Sequence, residues 1–259
     1  RVGVFNPKYR DRLKGDNDGT QTGFAFGTMP DWTGGIPAGV RGSIMYTKGM
    51  YALADNWDSM FAYDPEQSIN YISAHDNLCW WDKIVYSGRS GVAATNINKF
   101  GIGIILTSQG IPFLHAGDEF LRSKVVNGNW NAAKNSYNAG DEVNKIRWAL
   151  KLSNQVVYQY YRDLIQLRKT YREFRWTTWD EVDAHVKSGL AGTWSLVTNH
   201  LVGGTHELFV VYNAGANTSV SLPAGSWRII ANQNGSASDG GKAGSVPVKQ
   251  YEVLVMVKE

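Results

Sequence analysis

INYISAHDNLCWWDK, residues 69–83, sets the reading of the whole chain. Its first six residues form a near-continuous apolar run, the pattern of a strand covered on both faces in a parallel sheet. The run ends in His75, Asp76 and Asn77, and Trp80 and Trp81 follow at once. In a sheet of parallel strands the loops at the carboxyl ends converge on the ligand, so a polar triplet there has two readings. Asp76 caps the next helix or turn while His75 is a satisfied core histidine, or the triplet faces a cleft walled by the two tryptophans.

Working outward, RVGVF (1–5) is a short apolar run stopped by Asn6-Pro7 and predicts a buried strand followed by a loop. Residues 15–43 are rich in Gly, Asp, Asn and Thr, with Pro30 and Pro37, and predict a long functional loop. TNINKFGIGIILTSQG (95–110) has helical spacing and stops at Gly110, after which IPFLHA (111–116) gives a third short strand. Strand, helix, strand in this rhythm predicts a parallel sheet. From Ser153 to Arg172, Val157, Tyr160, Tyr161, Leu164 and Ile165 fall on one face of an amphipathic helix. Beyond Thr177 the texture changes to short β-rich runs such as ELFVVYNA and EVLVMV, which predict a small all-β domain. NGSASDGGKAGS (234–245) reads as a hairpin loop or flexible tip. The expected organisation is therefore α/β over 1–176 and all-β over 177–259.

Composition narrows the function. Against 26 Lys and Arg stand 23 Asp and Glu, a net charge of +3 with no basic block, which argues against a nucleic-acid partner. No apolar run approaches the length needed to cross a bilayer, so no membrane partner is expected. The first residue is Arg, which leaves room for further chain upstream, and the compartment stays open between secreted and cytoplasmic. Ten tryptophans and an aromatic share of 12% suit either the flat faces of sugars or a core. The lone Cys79 has no partner for a disulfide or a zinc site and reads as a buried thiol. Phosphate-loop, dinucleotide, zinc and serine-hydrolase signatures are all missing.

The third strand ends in HAGDEF (115–120), supplying His115, Asp118 and Glu119. Two adjacent carboxylates point apart, which disfavours them as a glycosidase pair and favours orientation of the loop by ion pairs to Arg122 or Lys124. In NSYNAGDEVNKIRW (135–148), Asp141 and Lys145 are four residues apart and fit one helix face, as a solvated ion pair or as an acceptor and a donor for the same sugar hydroxyls.

Taken in order, INYISAHDN with WDK, GIGIILTSQGIPFLHAGDEFLRSK, NSYNAGDEVNKIRW and YRDLIQLRKTYREFR resemble the C-terminal half of the type I pullulanases, debranching enzymes of the α-amylase superfamily of glycoside hydrolases. The resemblance covers about residues 1–175, and the β-rich tail has the place and size of that family's C-terminal β-sandwich. It implies that RVGVF, INYISA and IPFLHA are strands six, seven and eight of a (β/α)8 TIM barrel. It further implies that Asp76 stabilises the transition state and His75 binds the same ring, with Asp141 and Lys145 at the next sugar. Asn77, Trp80, Asn135 and Tyr137 would line the cleft. The implied substrates are α-glucans such as pullulan and limit dextrin; no cofactor is required, although calcium occurs in the superfamily. Two departures stand out: DNLCWWDK where relatives commonly read DNLTLWDK, and Arg147 where an acidic residue is common.

In this family the nucleophilic Asp and the general-acid Glu follow strands four and five. The chain is therefore expected to be inactive alone and to need a complementary N-terminal half carrying strands one to five. The alternatives are an isoamylase or glycogen-debranching relative, a non-catalytic α-glucan-binding module, or an inert structural fragment.

Overall fold

The computed structural model describes residues 2–30, 34–48 and 60–259. Arg1 of the first expected strand and residues 31–33 of the expected loop lie outside the described residues.

Three short strands, β1 (Val4–Phe5), β2 (Ser68–Asn70) and β3 (Ile111–Pro112), form a parallel sheet in that order. Their order and direction are those the sequence predicts, but their length and burial are not. INYISA leaves the ladder after Asn70, and Val4, Phe5 and Ile111 are exposed. Ladders of two or three residues are weak, and a buried polar network reinforces this one. Asn6 donates from Nδ2 to Ser43 Oγ at 2.8 Å and Ser68 Oγ at 2.9 Å, and Asn70 Nδ2 donates to the Gln109 carbonyl at 2.7 Å. Each polar group taken out of water here finds a partner.

The helices are α1 (Pro7–Lys14), α2 (Gly35–Val40), α3 (Trp80–Tyr86), α4 (Gly91–Thr107), α5 (Trp130–Lys134), α6 (Asp141–Asn144), α7 (Ala149–Ser153), α8 (Gln155–Thr170) and α9 (Trp179–His185). Helix α1 starts where Asn6 accepts from the Tyr9 amide and Pro7 takes the first turn. Helix α4 is buried from Ile97 to Thr107, and the α8 side chains Val157, Tyr160, Tyr161 and Leu164 pack in the same core. Arg168 of α8 donates to the carbonyls of Leu106, Ser108 and Gly110, which satisfies the C-terminal end of α4. No described helix is long and apolar enough to cross a membrane.

The rest of the chain is antiparallel: β4 (Val186–Leu190), β5 (Leu196–Leu201), β6 (Leu208–Asn213), β7 (Thr218–Ser221), β8 (Trp227–Asn232), β9 (Gly235–Lys242), β10 (Ser245–Val248) and β11 (Glu252–Lys258). Six of these form one sheet in the order β4-β5-β6-β11-β8-β9, and β10 pairs with β7. Alternation in β11 assigns its two faces. Val253, Val255 and Val257 join the core shared with α4 and α8, while Leu254 and Met256 join a second core with Val220, Val246 and Val248 of the two-stranded sheet.

Two expectations need correction. The 15–43 segment is not a plain loop, because α2 lies within it and Phe24, Phe26, Ile36 and Val40 are core residues. NGSASDGGKAGS is not a loop or tip either; most of it is β9, paired with β8. As the outermost strand of its sheet, mostly exposed along its length, β9 needs no apolar alternation.

Candidate functional site

The turn after β2 carries the polar triplet to the surface. His75 and Asp76 side chains are 83% and 71% exposed, and His75 Nε2 lies 3.4 Å from Asp76 Oδ1. His75 is therefore no core histidine, and the N-cap of α3 is Cys79 rather than Asp76. Two clefts meet at this turn. One, of about 390 Å³, is lined by Arg10, Lys14, Tyr71, His75, Asp76 and Asn77 among others. The second, of about 250 Å³, brings Asp76 and Asn77 together with Asn135 and Tyr137. Phe5, Tyr71 and Phe113, one ring from each strand region, meet edge to face on one wall of the larger cleft.

The turn is held by buried charge. Asn77 has φ of +61°, a left-handed conformation that Asn tolerates better than most residues. Asp18 accepts from Asn77 Nδ2 at 2.5 Å and from the Leu78 amide at 2.9 Å. Lys83, 0% exposed, fixes the loop that bears Asp18 by donating to Asp16 and to the carbonyls of Gly19 and Gln21. On the other side, Lys124 donates to the carbonyls of His75 and Asn77 and to Ser136 Oγ. Burial lowers the pKa of both lysines.

Beneath the turn, Asp118 accepts from Ser73 Oγ, and burial pushes its carboxyl up to about 7. His115 Nδ1 lies 3.9 Å from Asp118 Oδ1, and both atoms are buried without a hydrogen-bond partner. Burial, aided by Arg122 and Lys124, lowers this histidine to about 4. The expected ion pairs to Arg122 and Lys124 do not form. Arg122 gives its guanidinium to His115 Nε2 and to the carbonyls of Ala116 and Asn144, while Glu119 accepts from the Gly117 amide.

Trp80 is not a cleft wall. It is 0% exposed, packs edge to face on Phe26 at 5.4 Å and donates its indole N–H to the Asn98 carbonyl. As the first residue of α3 it turns into the core, and Trp81 packs against the same core partly buried. Asp141 and Lys145 do not share a helix face, because α6 is a single turn that ends at Asn144. Both are exposed and line neither cleft. Cys79 is a buried thiol whose pKa burial raises. The sequence does not mark Asp18, Lys83 and Lys124 as supports of this turn, since a Gly/Asp-rich loop and isolated lysines carry no spacing signal.

An exposed carboxylate beside an imidazole, with two amides and a phenol within one groove, can accept from and donate to a polyhydroxylated ligand. Asp76 is the sole carboxylate among the described residues lining the two clefts. No three His, Cys, Asp or Glu side chains among the described residues converge as a metal site.

No family profile matches the chain. The pullulanase of Bacillus subtilis (strain 168) is 32% identical over 189 residues, 72% of this chain and 24% of that protein. The solved pullulanase from Bacillus acidopullulyticus superposes with a TM-score of 0.85 at 32% identity, over 99% of this chain and 30% of its own. The chain is a pullulanase homologue, matching a C-terminal portion of that family. The pullulanase of Anoxybacillus sp. LM18-11, solved in complex with maltotriose, matches all of this chain with 34% of its own, at a TM-score of 0.82 and 29% identity. The homologue thus spans between about a quarter and a third of these relatives. Its mixture of helices and antiparallel sheet is that of the corresponding pullulanase region.

Proposed function

We propose that this chain is part of a pullulanase-type debranching enzyme that hydrolyses α-1,6 links in pullulan and related α-glucans with retention. In this reading β1, β2 and β3 are strands six, seven and eight of a (β/α)8 barrel that takes in residues 1–176, and residues 177–259 form the C-terminal β-sandwich. The observation that carries the reading is the position of Asp76 where two clefts meet at the carboxyl ends of parallel strands, beside His75, Asn77, Asn135 and Tyr137. The exposed apolar residues of β1 and β3, and edges that pair with no other strand among the described residues, support a continuing sheet.

Asp76 accepts hydrogen bonds from hydroxyls of the sugar whose bond breaks, and His75 binds the same ring. Such bonds tighten as the ring flattens toward an oxocarbenium ion and supply on the order of several kcal/mol. Asn77, Asn135 and Tyr137 line the groove, while Asp141 and Lys145 serve the neighbouring sugar from the exposed loop. A retaining mechanism needs a nucleophile and an acid/base about 5 Å apart. With Asp76 alone in these clefts, both come from a complementary segment bearing strands one to five, and the isolated chain does not turn over. The maltotriose complex of a relative supports the substrate class.

The test is to co-express the chain with the N-terminal portion of the Bacillus subtilis pullulanase and to follow reducing ends released from pullulan. Activity is expected only in the complemented sample, with Asp76→Ala lowering it about a hundredfold to a thousandfold. Hydrolysis by the chain alone, or activity indifferent to Asp76→Ala, overturns the reading.

A further inference from the structure

Lys14, the last residue of α1, lines the larger cleft with Arg10, Tyr71, His75 and Asp76. Its side chain is 1% exposed, yet among the described residues it makes no hydrogen bond and no ion pair. The other buried lysines are all satisfied: Lys83 and Lys124 by three acceptors each, and Lys99 by the Gln233 carbonyl at 2.8 Å. Arg10, its neighbour in the cleft, is committed to Asp11 and to the Tyr71 hydroxyl. Lys14 alone among them has its stem buried and its ammonium turned to the cleft without an acceptor.

Burying a cation in this way costs stability unless something arrives to pair with it. Burial, with repulsion from Arg10 and Lys83, has already pushed the ammonium down to about 8. The carbonyl end of α1 offers partial compensation at best, since the helix dipole acts over its last turn and is weak in a helix of eight residues. The free donors face a cleft whose rim carries Asp76, an acceptor. A sugar ring presents hydroxyls that serve as both, so a ring held between the two satisfies each.

We propose that Lys14 is a substrate-binding residue of this cleft, donating to hydroxyl oxygens of the glucosyl unit whose other hydroxyls donate to Asp76. The assignment rests on the α-glucan reading above, and adds a lysine at that sugar to the residues the resemblance implies. It also explains the tolerance of an uncompensated charge, since groups held ready for a ligand lower the stability of the empty protein.

The experiment titrates the full chain with maltotriose by calorimetry, for the wild type, Lys14→Met, Lys14→Gln and Asp76→Ala, each with a melting curve. Lys14→Met is expected to weaken binding at least about tenfold while melting at or above the wild-type temperature, and Lys14→Gln, which keeps a donor, to lose less. If Asp76→Ala loses affinity and both Lys14 variants bind as the wild type does, the inference falls and the cleft reading stands. If the wild type binds no maltotriose at millimolar concentrations, both fall. A Lys14→Met that melts lower alongside a Lys14→Gln that binds normally assigns Lys14 to packing and overturns the proposal.

Discussion

The Lys124 ammonium lies 3.0 Å from the main-chain oxygen of His75 and clamps the turn that presents Asp76. It also holds the Asn77 carbonyl and Ser136 Oγ, so one buried side chain ties the two walls of the smaller cleft together. Lys124→Met leaves these acceptors without that donor and is expected to cost about 2–4 kcal/mol, by the usual worth of charge-assisted bonds and the penalty of unmade ones. Urea unfolding measures the loss, and hydrogen exchange at the Leu78 amide should speed up as the turn loosens. A variant as stable and as protected as the wild type removes the clamp from the account.

Asp118 and His115 set opposing pH dependences. The folded value of Asp118, about 7, lies above its ordinary 3.8, so its contribution is full below pH 3.8 and is lost as pH rises through 7. The folded value of His115, about 4, lies below its ordinary 6.5, so its contribution is full above pH 6.5 and is lost as pH falls toward 4. Asp118→Asn should therefore leave a stability that climbs more steeply from pH 4 to 6.5 than the wild type's. His115→Gln should leave one that falls over the same window. Each slope is limited to about 1.4 kcal/mol per pH unit. Unfolding free energies at three pH values decide; parallel curves for all three proteins contradict the assignment.

Helix α4 approaches its neighbours through two glycines. A Cβ on Gly101 would lie 2.5 Å from Ile72 and 2.8 Å from Trp80, and one on Gly103 would lie 2.5 Å from the Tyr160 hydroxyl and 2.9 Å from Val253. Helix propensity alone favours alanine by about 1 kcal/mol. Overpacking of a filled core costs about 1–3 kcal/mol and should win. Both Gly101→Ala and Gly103→Ala are expected to melt below the wild type, and a rise in melting temperature for either would show that the helix has room to move.

The sequence made the order of the elements legible because apolar periodicity survives wherever a face is buried. The α8 positions from Val157 to Leu164 and the alternation in β11 both read through directly. It misjudged the strand ends, since an unbroken apolar run such as INYISA marks burial and not the residue at which pairing stops. It missed β9, whose Gly- and Ser-rich residues lie on an edge and mostly in solvent. At the site, Asp76 was legible as a polar group at a strand end. The lysines behind it were not, because a lysine that donates to carbonyls 49 or 64 residues away leaves no local pattern.

Trp80 is where sequence and structure part most sharply, and it yields a clean test. Two adjacent tryptophans after a polar triplet read as cleft walls, yet Trp80 sits in the core against Phe26 with its N–H on Asn98. Trp80→Ala should cost about 3–5 kcal/mol, the range for emptying a large buried aromatic site. Trp80→Phe keeps most of the ring volume and loses only the indole bond to the Asn98 carbonyl, so it should cost less, about 1–3 kcal/mol. Because the ring lines neither cleft, the folded Trp80→Phe protein is expected to bind maltotriose as the wild type does. Loss of affinity at an unchanged melting temperature would return Trp80 to the cleft wall.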